Sequence, residues 1–219
     1  MATSTSPLKP LVIITGASSG IGESCARTFS EHGHALLLLS RRLDRMVALN
    51  LPNCICEAVD VTDLAAFQLA VRNAEAKFGP AECIINNAGV MLLGHAHDQD
   101  PAEWAQMLQV NITGVLNGIR SVIDGMMARR SGTIINISSV AGRKTFGDHG
   151  VYCATKFGVH ALTETFREEY SKYNVKFVVV APGVVETELL GHTTNEAVKD
   201  GYLEWKKKIV PLQPEDVSN

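Results

Sequence analysis

Apolar residues in this chain fall in short unbroken runs, separated by stretches with helical spacing. The runs 11–15, 35–40, 54–59, 83–86, 133–138 and 176–181 read as strands. They are continuous rather than alternating, as expected for strands buried on both faces of a parallel sheet. Between them lie amphipathic segments. Ile21, Cys25 and Phe29 share a helix face, with Gly33 as the stop. A second helix spans 64–78 and ends at Gly79-Pro80. A third opens Asp100-Pro101-Ala102-Glu103, which sets a cap, a first-turn proline and a capping-box glutamate in order. A fourth starts near Tyr152 and runs to about Tyr173. This alternation predicts right-handed βαβ units and an α/β fold, a Rossmann-type doubly wound parallel sheet flanked by helices. No linker or repeat divides residues 1–219, so one domain is expected. Ligands of such sheets sit outside the carboxyl ends of the strands, which directs attention to the residues just after each strand.

Charge and composition narrow the function. Lys and Arg total 20, Asp and Glu 23, for a net charge of −3. That balance argues against a nucleic-acid footprint or a polybasic membrane surface. Ala35–Leu39 is as long as any purely apolar stretch, far short of the roughly 18 residues that span a bilayer. The opening MATSTSPLKP has no apolar core of a secretory leader. Five cysteines form an odd set without a C-x-x-C pair, and Cys54-x-Cys56 fits alternate residues of a strand better than a metal clip. The expectation is a cytoplasmic protein with reduced thiols.

The first predicted strand runs into Thr15-Gly16-Ala17-Ser18-Ser19-Gly20-Ile21-Gly22 and then a helix. Glycines at this spacing allow a sharp turn, close approach to a pyrophosphate and tight helix packing, while the helix N-terminus offers unpaired N–H groups. An acid about 20 residues further on would bind a ribose 2′-hydroxyl and indicate NAD. Arg41 stands there, nineteen residues after Gly22, followed by Arg42. Two guanidiniums favour a 2′-phosphate, so NADP(H) is expected over NAD(H). Asp60, after the third strand, can meet an adenine amino group, or Asp60-Val61-Thr62 can simply cap the next helix.

Asn86-Asn87-Ala88-Gly89 ends the fourth strand and suits either a ribose lining or an ordinary turn. Asn111 interrupts an apolar helical stretch and needs partners if buried, whether as scaffold or as a proton-relay post. The fifth strand ends Ile137-Ser138-Ser139. Thirteen residues after Ser139 comes Tyr152, with Lys156 one helical turn beyond. A nearby ammonium stabilises a phenolate and lowers the phenol toward a range useful for acid–base work. A serine hydroxyl at a neighbouring strand end can donate to an oxygen that gains negative charge.

Together TGASSGIG (15–22), NNAG (86–89), Asn111, ISS (137–139), YCATK (152–156) and PGVVET (182–187) resemble the short-chain dehydrogenase/reductase family in order and spacing over nearly the whole chain. The resemblance implies that Tyr152 exchanges the proton and that Ser139 polarises the substrate oxygen. It also implies that Lys156 binds the nicotinamide ribose and lowers Tyr152, while Asn111 holds a relay water. Gly16, Ser18, Ser19, Gly20, Ile21 and Gly22 would cradle the cofactor, with Arg41 and Arg42 beside the 2′ position. Asp60 and Val61 would meet the adenine, and Asn87, Ala88 and Gly89 would line the dinucleotide. Pro182, Gly183, Val185 and Thr187 would meet the nicotinamide end. Within the family, GVMLLG (89–94), VYCATKFGV (151–159) and TELLGHTTNEA (187–197) are most similar to a branch containing a clavulanate-pathway aldehyde reductase. The branch acting on serine and 3-hydroxy acids shares PGxVET. Its following arginine segment has no counterpart in 189–195, which points away from an acidic substrate.

Residues 186–211 are expected to form a substrate lid, with Lys206-Lys207-Lys208 as a solvated helix face and Trp205 as packing. His149 suits a pocket wall or an exposed loop, and His95-x-His97 lacks a third ligand, so no metal is expected. The expected activity is NADP(H)-dependent interconversion of a carbonyl and an alcohol on a small or medium-sized molecule; the alternative is a dinucleotide-binding sensor or scaffold. The resemblance further implies a homodimer or homotetramer built on helices 103–129 and 152–173. Pro214 followed by two acids reads as the start of a helix, and the resemblance implies that the native chain continues through a further helix and strand, about 30 residues.

Overall fold

The computed structural model describes residues 8–219; the leader reading at 1–7 lies outside the described residues. Six strands form one parallel sheet: β1 (Lys9–Thr15), β2 (His34–Ser40), β3 (Cys54–Ala58), β4 (Ala81–Asn86), β5 (Gly132–Ile137) and β6 (Val175–Val180). Their order is β3-β2-β1-β4-β5-β6, every neighbouring pair parallel. The order reverses between β1 and β4, so the crevice of this doubly wound sheet opens above the ends of those two strands.

The continuous apolar runs serve two cores at once because successive strand residues face opposite sides. Leu11 and Ile13 of β1 join Leu37 and Leu39 of β2 on one face, under α3 (Leu64–Phe78), α5 (Gly114–Arg129) and α6 (Gly150–Tyr170). Val12, Ile14, Leu36 and Leu38 face the other way, under α1 (Gly20–Glu31) and the short α2 (Leu43–Ala48). Those eight strand residues are at most 1% exposed, the burial expected where helices cover both faces.

Helix limits follow local chemistry. The Asp63 carboxylate caps α3 by accepting from the Ala66 N–H at 3.0 Å, and Gly79 at φ 85° ends it. Asp100 caps α4 (Pro101–Leu108) with Pro101 in its first turn, as its sequence predicts. The capping-box reading of Glu103 does not hold: its carboxylate accepts from the Gln99 amide and the Thr194 hydroxyl instead. The expected helix 103–129 is interrupted by a π-turn at Gln109–Thr113, which centres on Asn111. The expected helix to Tyr173 yields to a 3₁₀ turn at Ser171–Tyr173. α2 has no counterpart among the predicted elements, being too short to show a period. After β6 come a 3₁₀ turn (Glu188–His192), α7 (Glu196–Lys206) and α8 (Glu215–Ser218). α8 rests on α1, with the Ser218 and Ser24 hydroxyls 2.8 Å apart. Among the described residues no helix is long and apolar enough to cross a membrane.

Candidate active site

The turn after β1 is built so that backbone can approach backbone. Gly16 has φ 65°, and a Cβ there would fall 2.9 Å from the Ala88 Cα. A Cβ on Gly22 would sit 2.4 Å from the Gly16 oxygen, and one on Gly20, at φ 55°, would meet the Thr187 methyl at 2.9 Å. Only glycine fits these positions. The Asn87 amide fastens the turn, donating to the Thr15 oxygen at 3.0 Å, while the Thr15 hydroxyl accepts from the Asn87 and Ala88 N–H groups at 3.0 Å.

From this turn a cavity of about 750 Å³ runs along the strand ends. Gly16, Ser18, Ser19, Gly20, Ile21, Arg41, Arg42, Asp60, Val61, Asn87, Ala88 and Gly89 line one part of it. Ser139, Tyr152, Lys156, Pro182, Gly183, Val185 and Thr187 line the rest. Gly22 and Asn111 sit behind the wall rather than in it. A glycine cradle that any Cβ would fill, leading to a basic corner, fits a dinucleotide pyrophosphate and a 2′-phosphate.

At the basic corner the Arg42 guanidinium donates to Ser18 at 3.1 Å, to Ser19 at 2.7 Å and to the Glu188 carboxylate at 2.7 Å. Arg45 donates to Glu188 at 2.8 Å. Hydrogen bonds from Arg42 and then Arg45 pull the Glu188 carboxyl down to about 2. Neither Arg45 nor Glu188 was singled out by sequence, because the partners stand more than 140 residues apart and nothing local marks the pairing. Arg41 points charge toward Asp60. Burial raises the Asp60 carboxyl, but hydrogen bonds from the Thr62 N–H and hydroxyl, with Arg41, outweigh it and hold the group below its ordinary value. Asp60 thus closes its own turn with Thr62 and still faces the cavity, while Asp63 does the capping.

Tyr152 and Lys156 lie on one face of α6, both buried. Burial pushes the Tyr152 phenol up, and a hydrogen bond with Ser139 opposes the rise. The Lys156 amine stands 5.7 Å from the phenol ring centre and donates to the Ile137 oxygen at 3.0 Å. Burial brings it down to about 8. The expected lowering of Tyr152 by Lys156 is therefore not what this structure shows. The Lys156 amine is turned to the Ile137 oxygen, so the desolvation of a phenolate here stands without an offsetting cation.

Asn111 has both amide donors and its oxygen engaged: the oxygen accepts from the Val90 N–H at 2.9 Å, and the amide donates to the Val90 oxygen at 2.9 Å and the Thr155 hydroxyl at 3.1 Å. It fixes the strand-end loop to α6. Gly89 bridges the two groups, since a Cβ there would lie 3.3 Å from the Asn111 oxygen and 3.7 Å from the Lys156 nitrogen. Thr193, also missed by sequence, ties residues after β6 to the same loop through Leu93 and Met91. His95 pairs with Asp148 at 3.1 Å, and among the described residues no cluster of three metal-ligating side chains occurs.

A parallel sheet with a glycine turn at its switch point and a serine–tyrosine–lysine group at the other end of the same crevice defines a dinucleotide-binding enzyme class. Residues 10–197 match the short chain dehydrogenase family model, and the chain belongs to that family of oxidoreductases. It is 38% identical over 206 residues to an uncharacterized oxidoreductase of Staphylococcus saprophyticus, covering 91% of this chain and 84% of the relative. Serine dehydrogenase complexed with NADP+ superposes with TM-score 0.88 at 32% identity, over 95% of this chain and 86% of that one. The 3-ketoacyl-(acyl-carrier-protein) reductase of Brucella melitensis complexed with NADH gives TM-score 0.85 at 25% identity, over 97% of this chain and 89% of that one.

Proposed function

We propose that this chain is an NADP(H)-dependent oxidoreductase that interconverts a carbonyl and an alcohol on a small or medium-sized molecule. The observation that carries the reading is the buried Tyr152 phenol, set with Ser139 and Lys156 in the wall at one end of the glycine-turn cavity. A nicotinamide dinucleotide, held by Gly16, Ser18, Ser19, Gly20, Ile21, Asp60, Val61, Asn87–Gly89, Pro182, Gly183, Val185 and Thr187, would supply the hydride or accept it in reverse.

The chain's own residues handle the proton. A phenol raised by burial stays protonated at neutral pH, so Tyr152 is poised to give its proton to the oxygen of a carbonyl as that oxygen gains charge. Ser139 donates a second hydrogen bond to the same oxygen. Lys156 presents a buried donor to the cofactor ribose, and Asn111 holds the loop that carries Gly89. In the oxidative direction Tyr152 takes the proton back.

Arg41, Arg42 and the neighbouring Arg45 favour NADP(H), with no acid at the end of β2 to receive a ribose 2′-hydroxyl. The NADP+ complex of serine dehydrogenase supports that choice, although the ketoacyl reductase neighbour is an NADH complex. Residues 186–211 act as the substrate lid of one domain, residues 1–219. The working setting is the cytoplasm, consistent with five free cysteines, and the assembly a homodimer or homotetramer. The test is NADPH oxidation, followed at 340 nm, with aldehydes, diketones and quinones. Tyr152→Phe should abolish turnover while NADPH still binds. Turnover that survives in the variant refutes the mechanism.

A further inference from the structure

The end of the cavity beyond Tyr152 has a chemistry of its own. Phe146, His149, Tyr202 and Trp205 line it as a connected aromatic wall. Ring centres lie 5.7 Å apart for Phe146 and His149, 5.9 Å for His149 and Tyr202, and 5.4 Å for Tyr202 and Trp205. His149 also stands 6.2 Å from the ring of Tyr152, so the wall begins at the reacting phenol. These tilted and edge-on spacings leave ring faces and edges for a further aromatic group. Trp205 keeps 42% of its surface exposed, which is unusual for a residue whose sole task is packing. Buried Met91 and Leu93, with Leu189 and Leu190, complete an apolar floor.

Charge at this end is already committed. Lys206, which also lines the cavity, pairs with Glu186 at 2.6 Å. The Lys156 amine is bonded to the Ile137 oxygen, and His95 pairs with Asp148. The remaining basic rings, His149 and His192, use their Nδ1 atoms on the backbone oxygens of Gly147 and Leu189. Among the described residues lining this end, every ammonium thus has a partner and every histidine is engaged through a ring nitrogen. Lys144, whose amine sits 5.6 Å from the Phe146 ring centre, is not among the lining groups, so a substrate carboxylate entering the cavity here would leave water for little in return.

We propose that the substrate is an uncharged aryl aldehyde or ketone, held with its aromatic ring against Phe146, His149, Tyr202 and Trp205 and its carbonyl oxygen between Ser139 and Tyr152. The inference rests on the carbonyl-reduction reading above and deepens it. α7 takes part in binding through Tyr202 and Trp205, one turn apart on its cavity side, so the lid contributes recognition as well as cover. On this proposal Trp205 binds as well as packs. Reduction adds hydride to the carbonyl carbon from NADPH and a proton to oxygen from Tyr152, giving the aryl carbinol and NADP+.

The full-length chain would be assayed with NADPH and 4-methylbenzaldehyde, 4-carboxybenzaldehyde, hexanal and succinic semialdehyde. The expected kcat/KM for 4-methylbenzaldehyde exceeds those for both carboxylates by about tenfold or more, the scale of one well-made or lost contact. Trp205→Ala and Tyr202→Ala should each lower the preference for 4-methylbenzaldehyde over hexanal by roughly fivefold to tenfold. Binding is read separately, by quenching of indole fluorescence with 4-methylbenzyl alcohol in the absence of cofactor; the quenching should vanish in Trp205→Phe. Acidic aldehydes turned over as well as the aryl one, or wall variants that leave the aryl-to-hexanal ratio unchanged, would overturn the aromatic site and leave the reaction reading standing. Quenching through Trp205 with no carbonyl reduced would overturn the reaction reading and leave the aromatic site.

Discussion

Asn111 offers a sharp test, because a relay post and a scaffold residue predict different consequences of the same truncation. The side chain is 1% exposed, and its three hydrogen bonds span 2.9–3.1 Å. Asn111→Ala removes them and strands the Val90 N–H and carbonyl in a loop whose Val90 is 3% exposed. At about 1 kcal/mol per bond, plus the desolvation of orphaned backbone groups, the cost is roughly 3–5 kcal/mol. For a domain of this size each kcal/mol lowers Tm by about 2–4 °C, so a fall of roughly 6–20 °C is expected by circular dichroism. NADPH affinity should fall with it, because the loop carries Ala88 and Gly89 into the cavity wall. Asn111→Asp keeps the acceptor for Val90 but sets a charge against the Val90 oxygen, so it should not restore the wild-type Tm. A variant Asn111→Ala that melts within about a degree of wild type and loses only kcat would refute the scaffold argument.

Further outcomes follow from the same geometry. Gly22→Ala forces a Cβ to within 2.4 Å of the Gly16 oxygen and should cost about 1–3 kcal/mol in urea unfolding while weakening NADPH binding. Gly33→Ala, at φ 80° in open space, should cost about 1–2 kcal/mol of strain and leave NADPH binding alone. Arg42→Ala should weaken NADPH by tenfold or more on the scale of charge-assisted bonds, roughly 1.5–3 kcal/mol, with NADH little changed in a titration. Arg41→Asp should shift preference toward NADH, and equal wild-type affinity for the two cofactors would refute the basic-corner argument. For Lys156, burial brings the folded amine to about 8, while the unfolded chain titrates near its ordinary 10.5. Between those values the unfolded state holds more protons, so this group's contribution to stability is flat below about pH 8 and rises from there to about 10.5. The stability of wild type relative to Lys156→Met should therefore rise between pH 7 and pH 10 in matched melts; a constant difference refutes the assignment.

Much of this molecule is written in short-range pattern. The six apolar runs correspond to six strands within a few residues at each end, because a parallel strand covered on both faces must be apolar throughout. Asp100-Pro101 capped a helix as read, and the glycine spacing marked the turn that packs Gly22 on Gly16. The i, i+4 spacing of Tyr152 and Lys156 placed both on one buried face of α6. These features depend on backbone sterics and on neighbours within one or two turns, so the sequence alone contains their causes.

Tertiary structure decided what each group meets. It brought Glu188 to Arg42 and Arg45, turned Glu103 from a capping box to Thr194, and joined Phe146 and His149 to Tyr202 and Trp205 across more than 50 residues. It also reversed the expected sign at Tyr152. Spacing along a helix shows that an ammonium and a phenol can be neighbours; it does not show how much water both lose or which oxygen the ammonium finds first. Proton affinity depends on that desolvation and on partners contributed by distant segments, and neither quantity exists until the chain has folded.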